Sequence, residues 1–376
     1  MAIRSYEHAV VQFGAGVTVV LGRNAHGKTN LLEAAYRVAT GGSHRVPSDV
    51  PLVRRDAASG VIRVLVATDE GRQRSIELEV RPGRGPRVRV DGQDVRRSSD
   101  ALGVLRVVLF APEDLAIIRG DPGDRRRFLD DLLAQRRPAY GAARGDYERV
   151  LHQRNRLLKT LRATGAGDDG TLEVWTEHLV RSGATLTAAR LAAVHALAGP
   201  TRAFYDDLAD RPEPVQLRYR SAAGLLVTGE TGAEVAHPEV LAQQLRDAFL
   251  AVAAEERARA LTLVGPHRDD LDLSIGPLPA RGYASHGQMW SLALALRLAT
   301  YDVLAEVGDR PVVLLDDVFA ELDDRRRERL AARCAAWEQV IVTAASEVDV
   351  PVSGARLDVR LVSGASTVTA RREGAA

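Results

Sequence analysis

Apolar positions in the first third of the chain alternate between strand-like and helical spacing. Residues 17–21 (VTVVL) form a short β-branched run that stops at Gly22, and this pattern predicts a buried strand. An apolar stripe over residues 29–39 predicts a helix. Further strands are predicted from alternating segments that begin at Val61, Ser75 and Pro86, and from a buried run that ends at Phe110.

The middle third is predicted to be mostly helical, from Asp124 to about Ala258. Apolar side chains fall on one face of two segments, as expected for helices that pack in a core. These residues are Leu172, Trp175, Leu179 and Leu186 in one segment, and Leu241, Leu245, Phe249 and Val252 in the other. Clusters with glycine or proline at 165–170 and 199–200 are predicted to interrupt the helices.

Strand patterns return in the last third of the chain. Two runs begin at Leu261 and Leu271, and residues 311–317 and 338–345 indicate buried parallel strands on either side of an arginine-rich helix. This order predicts an α/β fold, in which a mixed-sheet domain is split by a mainly helical insertion. The three predicted parts are residues 1–112, 113–260 and 261–376.

Composition excludes several classes of protein. The 376 residues include 51 Lys+Arg and 50 Asp+Glu, so the chain is neither a basic tail nor an acidic disordered segment. The single cysteine, Cys334, cannot form an internal disulfide or a thiolate metal cluster. No signal-peptide core is present, and no apolar run is long enough to span a membrane. We expect a soluble protein of a reducing cytoplasm.

One segment has the pattern of a phosphate-binding loop. It follows a predicted strand, opens a predicted helix and fits G-x-x-x-x-G-K-[ST]. Its residues are Gly22, Arg23, Asn24, Ala25, His26, Gly27, Lys28 and Thr29. Backbone N–H groups at such a helix start bind phosphate, Lys28 would reach the β- and γ-phosphates, and the Thr29 hydroxyl would bind Mg²⁺.

The scarcity of lysine strengthens this interpretation. Only Lys28 and Lys159 are lysines, and all other basic residues are arginines. A lysine at this position offers the compact point charge that a phosphate cradle uses. The alternative is a glycine-rich turn with an incidental lysine, and Lys159 itself has no assigned chemistry.

Two carboxylates, Asp316 and Asp317, end the predicted strand that starts at Pro311. Ligands of open α/β sheets bind at the carboxyl ends of strands. Asp316 is therefore predicted to hold Mg²⁺ together with Thr29, and Asp317 to orient or deprotonate water as a general base. Lys28 and Asp317 are the predicted catalytic residues. The alternative is a pair of exposed aspartates that cap the next helix.

A second helix start carries a candidate ligand contact. Ser285 has the position of an N-cap, and Gly287 permits close backbone approach before a helix predicted over 289–304. Alone, Ser285-His286-Gly287-Gln288 is an ordinary capped helix. A phosphate loop, a Ser-x-Gly-Gln helix start and a carboxylate-ended strand occur in this order in ABC-type ATPases. There the serine helix of one subunit binds the γ-phosphate held by the other.

With these motifs, the chain resembles the RecF family of bacterial DNA replication and repair proteins. The similarity runs nearly end to end. It is carried by GRNAHGKTNLLEAAY from Gly22, GPHRDDL from Gly265, ASHGQ from Ala284 and DDVFAELD from Asp316. The second and fourth of these strings are much more specific than a phosphate loop alone.

The resemblance implies an ABC-type P-loop ATPase head that forms a homodimer when it binds ATP and Mg²⁺. It implies binding of DNA at gaps or at junctions of double and single strands, and action with RecO and RecR to load RecA during gap repair. It also implies roles for single residues. Residues 22–29 would bind ATP, Asp316 would hold Mg²⁺, Ser285, Gly287 and Gln288 would contact the nucleotide of a second copy, and residues 320–323 would cross the interface.

The chain departs from the family pattern at several positions. Ala25 replaces a usual glycine, and its Cβ would hinder a φ > 0 conformation. Met289 is unusual after the serine motif, residues 343–346 lack the switch histidine of ABC transporters, and so few residues precede Arg4 that the family's first strand is expected to be missing. Asp317 stands in place of a longer glutamate, so we expect slow, DNA-stimulated ATP hydrolysis that acts as a timer.

Arginine clusters are the candidate DNA contacts, because a net charge of +1 gives no general attraction to phosphate. For each of them the alternative is a solvated or ion-paired arginine. The candidates are Arg125, Arg126, Arg127, Arg136, Arg137, Arg154 and Arg156. No aromatic platform for single strands is evident, so contact with a duplex backbone at low sequence specificity is expected.

Other interpretations stay open from the residues alone. His267 has acidic neighbours that could mimic a metal cluster, although a structural hydrogen bond is the simpler explanation, and His26 is expected to face solvent. The chain could be an SMC- or Rad50-like head, although its insertion has too little heptad pattern for a long coiled coil. A P-loop small-molecule kinase is the third class, with Asp316 and Asp317 serving phosphorylation of the substrate.

Overall fold

The computed structural model describes residues 2–68, 71–164, 169–209, 211, 213–224 and 237–371. The chain divides into two compact units. The first comprises Met1–Leu115, Ala203–Pro212 and Trp290–Ala376, and the second comprises Ala116–Arg202 and Glu213–Met289.

The strands and helices are numbered in chain order. The strands are β1 (Gly16–Leu21), β2 (Gly60–Ala67), β3 (Gln73–Val80), β4 (Arg87–Val90), β5 (Gln93–Asp94), β6 (Val107–Phe110), β7 (Val215–Arg220), β8 (Asp270–Ile275), β9 (Leu278–Pro279), β10 (Val312–Asp316), β11 (Gln339–Ala344), β12 (Ala355–Val362) and β13 (Ala365–Ala370). The helices are α1 (Lys28–Thr40), α2 (Leu115–Arg119), α3 (Pro122–Arg136), α4 (Pro138–Thr164), α5 (Asp169–Leu208), α6 (Pro238–Arg259), α7 (Ala280–Tyr283), α8 (His286–Ala305) and α9 (Asp324–Cys334).

The first unit is built on a six-stranded mixed sheet with the order β13-β12-β1-β11-β10-β6. All neighbouring pairs are parallel except β12 and β13, which form an antiparallel hairpin. Parallel strands are covered on both faces, and β1, β10 and β11 are accordingly buried along nearly their whole length. Because these three strands run in the same direction, their carboxyl ends meet at one edge of the sheet.

A second sheet in this unit is antiparallel, with the order β2-β3-β4-β5. Its buried side chains, such as Ile62 and Ile76, share a core cluster with Leu32 of α1 and Leu314 of β10. The alternating pattern arises because one face of this sheet packs on that core while the other carries exposed charges. The strands predicted from Val61, Ser75 and Pro86 are confirmed in type and order, with bounds shifted by one or two residues.

Helix α8 is buried on nearly every side from Trp290 to Leu304. A helix that is apolar all round needs protein around it rather than on one face. The Trp290 ring packs edge-on against Phe110 at the end of β6, with 5.4 Å between ring centroids. Arg297 lies in the same buried stretch, and its Nε donates to Asp114 Oδ1 at 3.1 Å.

The second unit combines helices α3, α4, α6 and most of α5 with the antiparallel sheet β7-β8-β9. Buried ion pairs join its elements. Arg125 of α3 donates from Nε to Asp270 Oδ1 of β8 at 2.7 Å, and Arg190 of α5 donates to Asp130 of α3 at 2.8 Å. The planar guanidinium suits such sites because it can bind both carboxylate oxygens at once.

The GPHRDD segment makes a tight corner beside α4. The Tyr147 hydroxyl lies 2.7 Å from His267 Nδ1, and His267 Nε2 lies 3.3 Å from the Thr262 carbonyl oxygen. Burial lowers the pKa of His267 to about 4, so the ring is neutral, with Nε2–H donating to Thr262 and Nδ1 accepting from Tyr147. The structural hydrogen bond expected for His267 is therefore confirmed.

Some local predictions were wrong. Helix α5 continues through Pro200, where a break was predicted, because the flanking residues Leu197 and Tyr205 are fully buried and packing outweighs the lost N–H. Of the other predicted break, residues 165–168 lie outside the described residues. The run from Leu261 forms turns, since the Thr262 N–H bonds the Asn155 side chain at 2.8 Å instead of a neighbouring strand.

The division predicted at residue 260 differs from the compact units. Residues 215–220, which were included in the helical segment, form strand β7 and pair with β8. This pairing keeps residues 261–289 in the second unit, whereas 203–212 belong to the first. In the parts of the chain that the structure describes, no helix has both the length and the hydropathy needed to cross a bilayer.

Gly265→Ala should destabilise the protein. A Cβ at this position would lie 2.7 Å from the Tyr147 hydroxyl oxygen, at a φ of +120° that L residues rarely adopt. We expect the free energy of unfolding to fall by about 2–4 kcal/mol, measured by urea denaturation followed by circular dichroism.

The matched control is Gly199→Ala, in helix α5, where a Cβ would meet open space. This change should be neutral or should stabilise the helix by up to about 1 kcal/mol. If both variants unfold at the same urea concentration as the wild type, the conformation of Gly265 is not required for the corner.

Candidate nucleotide-binding site

The loop between β1 and α1 begins at Gly22, a position with no room for a side chain. A Cβ on Gly22 would lie 2.5 Å from the Val359 carbonyl oxygen of β12. The Gly22 N–H in turn donates to the Ala344 carbonyl at the end of β11, at 3.3 Å. The loop therefore leaves the sheet between the ends of β11 and β12, in close contact with both.

The second glycine of the loop directly precedes the first residue of the helix, Lys28. Gly27 is the N-cap of α1 at a φ of 107°. A Cβ there would lie 2.6 Å from Ser366 Oγ and 2.7 Å from Ser5 Oγ. The Asn30 N–H donates to the Gly27 carbonyl at 3.1 Å. Because Gly27 has no side chain that could accept from the preceding N–H groups of Lys28 and Thr29, these two donors can serve an anion.

Ala25 holds the strained conformation that the sequence suggested. Its φ is 66°, in the left-handed region that favours glycine, and its side chain is exposed at the outer turn of the loop. Arg23 and Asn24 are exposed beside it. The left-handed conformation costs a residue with a Cβ roughly 1–2 kcal/mol.

His26 was expected to face solvent, and it does so only in part. Its side chain is only partly exposed, and Nδ1 lies 3.3 Å from the Val359 carbonyl oxygen. The contact follows from the close approach of the loop to β12.

Lys28 is buried, with 4% of its side chain exposed. Its Nζ donates to the Gly22 carbonyl at 2.9 Å and lies 3.8 Å from Asp317 Oδ1. The ammonium group is thus held across the mouth of the loop between one carbonyl and one carboxylate. An anion placed against the loop N–H groups would meet this charge directly.

Asp316 is buried at the end of β10 and accepts two hydroxyl hydrogen bonds. Thr29 Oγ1 donates to its Oδ1 at 3.0 Å, and Thr343 Oγ1 donates to the same oxygen at 2.6 Å. Burial raises the pKa of Asp316 above its usual value, the two hydrogen bonds oppose the shift, and the charge of neighbouring Asp317 adds to it. A hydroxyl beside a buried carboxylate is a donor set that suits a hard divalent cation.

Asp317 turns away from the sheet toward the cleft. Its φ is 51°, its side chain is about one-third exposed, and its N–H donates to Thr343 Oγ1 at 2.9 Å. A short 3₁₀ helix, Val318–Glu321, follows it, and Asp323 then caps α9 by accepting from the Arg326 N–H at 2.9 Å. The alternative of two exposed helix-capping aspartates is therefore wrong for Asp316 and Asp317.

These side chains surround an open cleft of about 140 Å³. Its lining residues are Asn24, Ala25, Gly27, Lys28, Thr29, Asn30 and Asp317. A neighbouring cavity of about 300 Å³ shares Asn24 and Asp317 with it and extends toward Glu321 and Thr343. Backbone donors with a buried ammonium suit an anion, and the adjoining carboxylates suit its counter-cation, so the residues fit a nucleotide with Mg²⁺.

The predicted residues Ser285, Gly287 and Gln288 lie in the second unit, at the start of α8. Gln288 N–H donates to Ser285 Oγ at 3.2 Å, and Ser285 N–H donates to Gln288 Oε1 at 2.9 Å. This reciprocal capping box confirms Ser285 as the N-cap. The Gln288 side chain also donates from Nε2 to Glu213 Oε1 at 3.0 Å. A role of this helix start in nucleotide contact stays a prediction.

For two of the candidate arginines, Arg125 and Arg154, the predicted contact with DNA is wrong, because both are buried in ion pairs. Arg125 binds Asp270 inside the second unit, and Arg154 is buried with its NH2 group 2.5 Å from Glu256 Oε2. Arg126 donates to the Asp269 carbonyl, and burial lowers its pKa. Three candidates are exposed on helices α3 and α4 or at the residue between them, namely Arg127, Arg137 and Arg156.

Sequence reasoning missed Thr343, which binds both aspartates at once. Its position could have been found, because Thr343 pairs in register with Asp316 on the neighbouring parallel strand. Tyr6 and Ser366, which contact the back of the loop, were also missed. No local pattern marks those two, since they are distant in sequence from the loop or lie outside any motif.

Asp316→Asn should stabilise the protein in the absence of nucleotide. The asparagine oxygen can still accept from Thr29 and Thr343, but the buried charge is gone. At about pH 8 we expect the free energy of unfolding to rise by about 1 kcal/mol, measured by urea denaturation.

The pH dependence checks the cause. A carboxyl whose pKa is raised in the folded state loses stability as pH rises through that pKa, so the penalty fades as pH falls toward the unfolded value of 3.8. The advantage of the variant should shrink accordingly between about pH 8 and about pH 4. Asp206→Asn, at an exposed position of the same unit, is the control and should show no such trend. A variant less stable than wild type at about pH 8 would contradict the assignment.

Comparison with known proteins identifies the family. The model of the RecF/RecN/SMC N terminal domain matches residues 1–365. The DNA replication and repair protein RecF of Streptomyces avermitilis is 50% identical over 363 residues, covering 95% of each chain. RecF of Kineococcus radiotolerans is 48% identical over 377 residues, covering 96% of each chain.

Solved structures show the same architecture. The recombination mediator RecF with ATP, of the RecFOR pathway, has a TM-score of 0.88 at 29% identity over 99% of this chain and 96% of that one. An Smc head domain from Pyrococcus furiosus, at a TM-score of 0.53 and 17% identity over 98% of this chain and 94% of that one, shares the fold alone. The predicted fold, an α/β ATPase head with a mixed sheet and an inserted, mainly helical lobe, is confirmed. The chain belongs to the RecF family of DNA replication and repair proteins.

Proposed function

We propose that this protein is an ATP-gated, DNA-binding mediator of DNA replication and recombinational gap repair in the cytoplasm. The observation that supports this most directly is the loop at β1–α1, where free helix N–H groups, buried Lys28 and the Thr29–Asp316 pair surround one cleft. RecF with ATP has the same fold over nearly the whole chain. Family membership favours this function over a P-loop small-molecule kinase.

Nucleotide binding would use the loop residues as they stand. Residues 22–29 would hold ATP through backbone N–H groups, while Lys28 would exchange its contact with the Gly22 carbonyl for the β- and γ-phosphates. Thr29 and Asp316 would hold Mg²⁺, which neutralises phosphate charge. Asp317 lines the cleft and is close enough to accept a proton from a water molecule there.

The ATPase site would be completed by a second copy of the chain. Ser285, Gly287 and Gln288 would contact the nucleotide bound by the other protomer, and residues 320–323 would cross the same interface. The capping box supports this, because it fixes the conformation of the first turn of α8, and a helix N-terminus favours a negative charge. ATP binding would thereby be converted into dimerisation.

DNA would bind through local charge and dimer geometry rather than through net charge. The exposed arginines Arg127, Arg137 and Arg156 are the remaining candidates for contacts with duplex or gapped DNA. RecO and RecR would be the protein partners in loading RecA, as the resemblance implies. With the nucleotide gone, the dimer would open and release DNA, so slow hydrolysis would set the lifetime of the complex.

ATP with Mg²⁺ should convert the wild-type protein from monomer to dimer, measured by multi-angle light scattering with and without gapped duplex. Lys28→Ala and Ser285→Arg should each prevent this, because each breaks both composite sites of a homodimer. An equal mixture of the two variants should recover ATP-dependent dimers. In the mixed dimer the Lys28→Ala protomer supplies an intact serine helix and the Ser285→Arg protomer an intact loop, so one site is whole.

The control is Lys159→Ala, which removes the other lysine at an exposed position of α4 and should dimerise normally. Dimerisation that ignores ATP and both variants would defeat the proposal. If both single variants fail and their mixture also fails, the nucleotide site would not be shared between protomers.

ATP hydrolysis should be slow. With Asp317 in place of a longer side chain, we expect a turnover below about 1 s⁻¹ even with DNA and saturating ATP, which is at the low end for enzymes. Asp317→Asn should reduce it further and prolong the ATP-bound dimer, as followed by phosphate release and light scattering. Turnover as fast as that of ABC transporters would refute the timer role.

A further inference from the structure

Two side chains hold the phosphate loop from the side opposite the cleft. The Tyr6 hydroxyl donates to the Gly27 carbonyl at 3.0 Å, and Ser366 Oγ donates to the His26 carbonyl at 2.6 Å. Both side chains are buried, at 4% and 1% exposure. Water therefore cannot take over these contacts if the hydroxyls are removed.

The two carbonyls fix the direction of the N–H groups that follow them. In a trans peptide the C=O and the next N–H point in opposite directions. Holding the His26 carbonyl from behind therefore turns the Gly27 N–H toward the cleft, and holding the Gly27 carbonyl does the same for the Lys28 N–H. Gly27 and Lys28 both line that cleft.

The serine contact is part of a chain of hydrogen bonds with one possible direction. Asn30 Nδ2 donates to Ser5 Oγ at 2.9 Å, and Ser5 Oγ lies 2.6 Å from Ser366 Oγ. A carbonyl can only accept and Ser366 has a single hydroxyl proton, which goes to His26. Ser5 must then donate to Ser366, so each hydroxyl in the chain has both a donor and an acceptor.

The two contacts come from separate parts of the first unit. Tyr6 lies near the amino terminus, and Ser366 lies in β13, 340 positions from His26. The segments are themselves joined, because Ser366 N–H donates to the Ser5 carbonyl at 2.9 Å. Burial raises the pKa of the Tyr6 hydroxyl, so it remains a donor throughout the physiological range.

We propose that Tyr6 and Ser366 are positioning residues for ATP, which orient the N–H groups of Gly27 and Lys28 toward the phosphates. The inference rests on the proposed nucleotide site and adds to it. Neither residue would touch the nucleotide, and both would act through the two peptide units. A merely structural role would instead hold the loop, the amino terminus and β13 together without changing affinity for the nucleotide.

The test compares Tyr6→Phe, Ser366→Ala and the double variant in ATP affinity, measured by isothermal titration calorimetry, and in the melting temperature of the nucleotide-free protein. We expect the Kd for ATP to rise about tenfold for each single change, with the melting temperature lowered by only a few degrees. In the double variant the Kd for ATP should rise by less than the product of the two single increases, because the two contacts restrain adjacent peptide units.

Matched controls are Thr367→Ala, a hydroxyl on the exposed side of β13, and Tyr283→Phe, an exposed tyrosine. Both should bind ATP as the wild type does. A lower melting temperature with unchanged Kd in the two test variants would overturn the proposal. Should Ser366→Ala fail to fold, Tyr6→Phe alone decides, since it keeps the buried ring.

Affinity is measured in the Ser285→Arg background, which should stay monomeric with ATP and keeps its own phosphate loop, so the result is separate from the proposed function. Wild-type protein that binds ATP but neither dimerises nor binds DNA would refute the mediator function and leave the positioning roles intact. If the Tyr6 and Ser366 variants dimerise normally and bind ATP with unchanged affinity, the positioning roles are refuted and the mediator function is not.

Discussion

The close backbone approach between the phosphate loop and the β12–β13 hairpin is the constraint on which the first unit depends. Gly22 lies against the Val359 carbonyl, and Gly27 lies against Ser366, at distances that exclude any side chain. These contacts join parts of the chain more than three hundred positions apart. The conformation of the loop therefore depends on both ends of the first unit, and forming such non-local contacts carries a loop-closure entropy cost.

The candidate site contains buried ionisable groups and backbone strain that both lower the stability of the fold. Burial raises the pKa of the Asp316 carboxyl, and among the residues that the structure describes, buried Lys28 has a carbonyl and a more distant carboxylate as partners. Ala25 adds a strained φ at the turn. A bound anion and cation would compensate these charges together, so binding would stabilise the folded unit through linkage. Strain and uncompensated charge are commonly concentrated at functional sites for this reason.

Site residues that lie in one contiguous sequence motif could be predicted, whereas residues that the fold brings in from distant segments could not. The phosphate loop and Asp316 were recognisable because strand, loop and carboxylates are contiguous in sequence. Thr343 and Ser366 were not, since their roles arise from strand pairing and hairpin docking rather than from neighbours. Strand β7 was missed because its six alternating residues were surrounded by helical pattern, and only its partner β8 settles its conformation.

Charge patterns were informative about residue type but not about partners. Arg125 and Arg154 belong to arginine-rich helical segments that suggested a DNA surface, yet each binds a buried carboxylate. Sequence cannot show this, because Asp270 and Glu256 lie more than a hundred positions away. The exposed arginines of the same helices remain available to a polyanion.

Buried arginine and buried lysine side chains occupy sites of different geometry in this protein. Buried arginines in this chain face carboxylates, where a planar fork can donate twice, as Arg125 does to both oxygens of Asp270. Lys28 lies between the Gly22 carbonyl and the more distant Asp317 carboxylate, in a site that leaves almost none of its side chain exposed. A compact ammonium can also turn from the Gly22 carbonyl to a phosphate without moving the backbone. In a chain that otherwise uses arginine almost throughout, a compact and mobile point charge at this position fits the proposed nucleotide site.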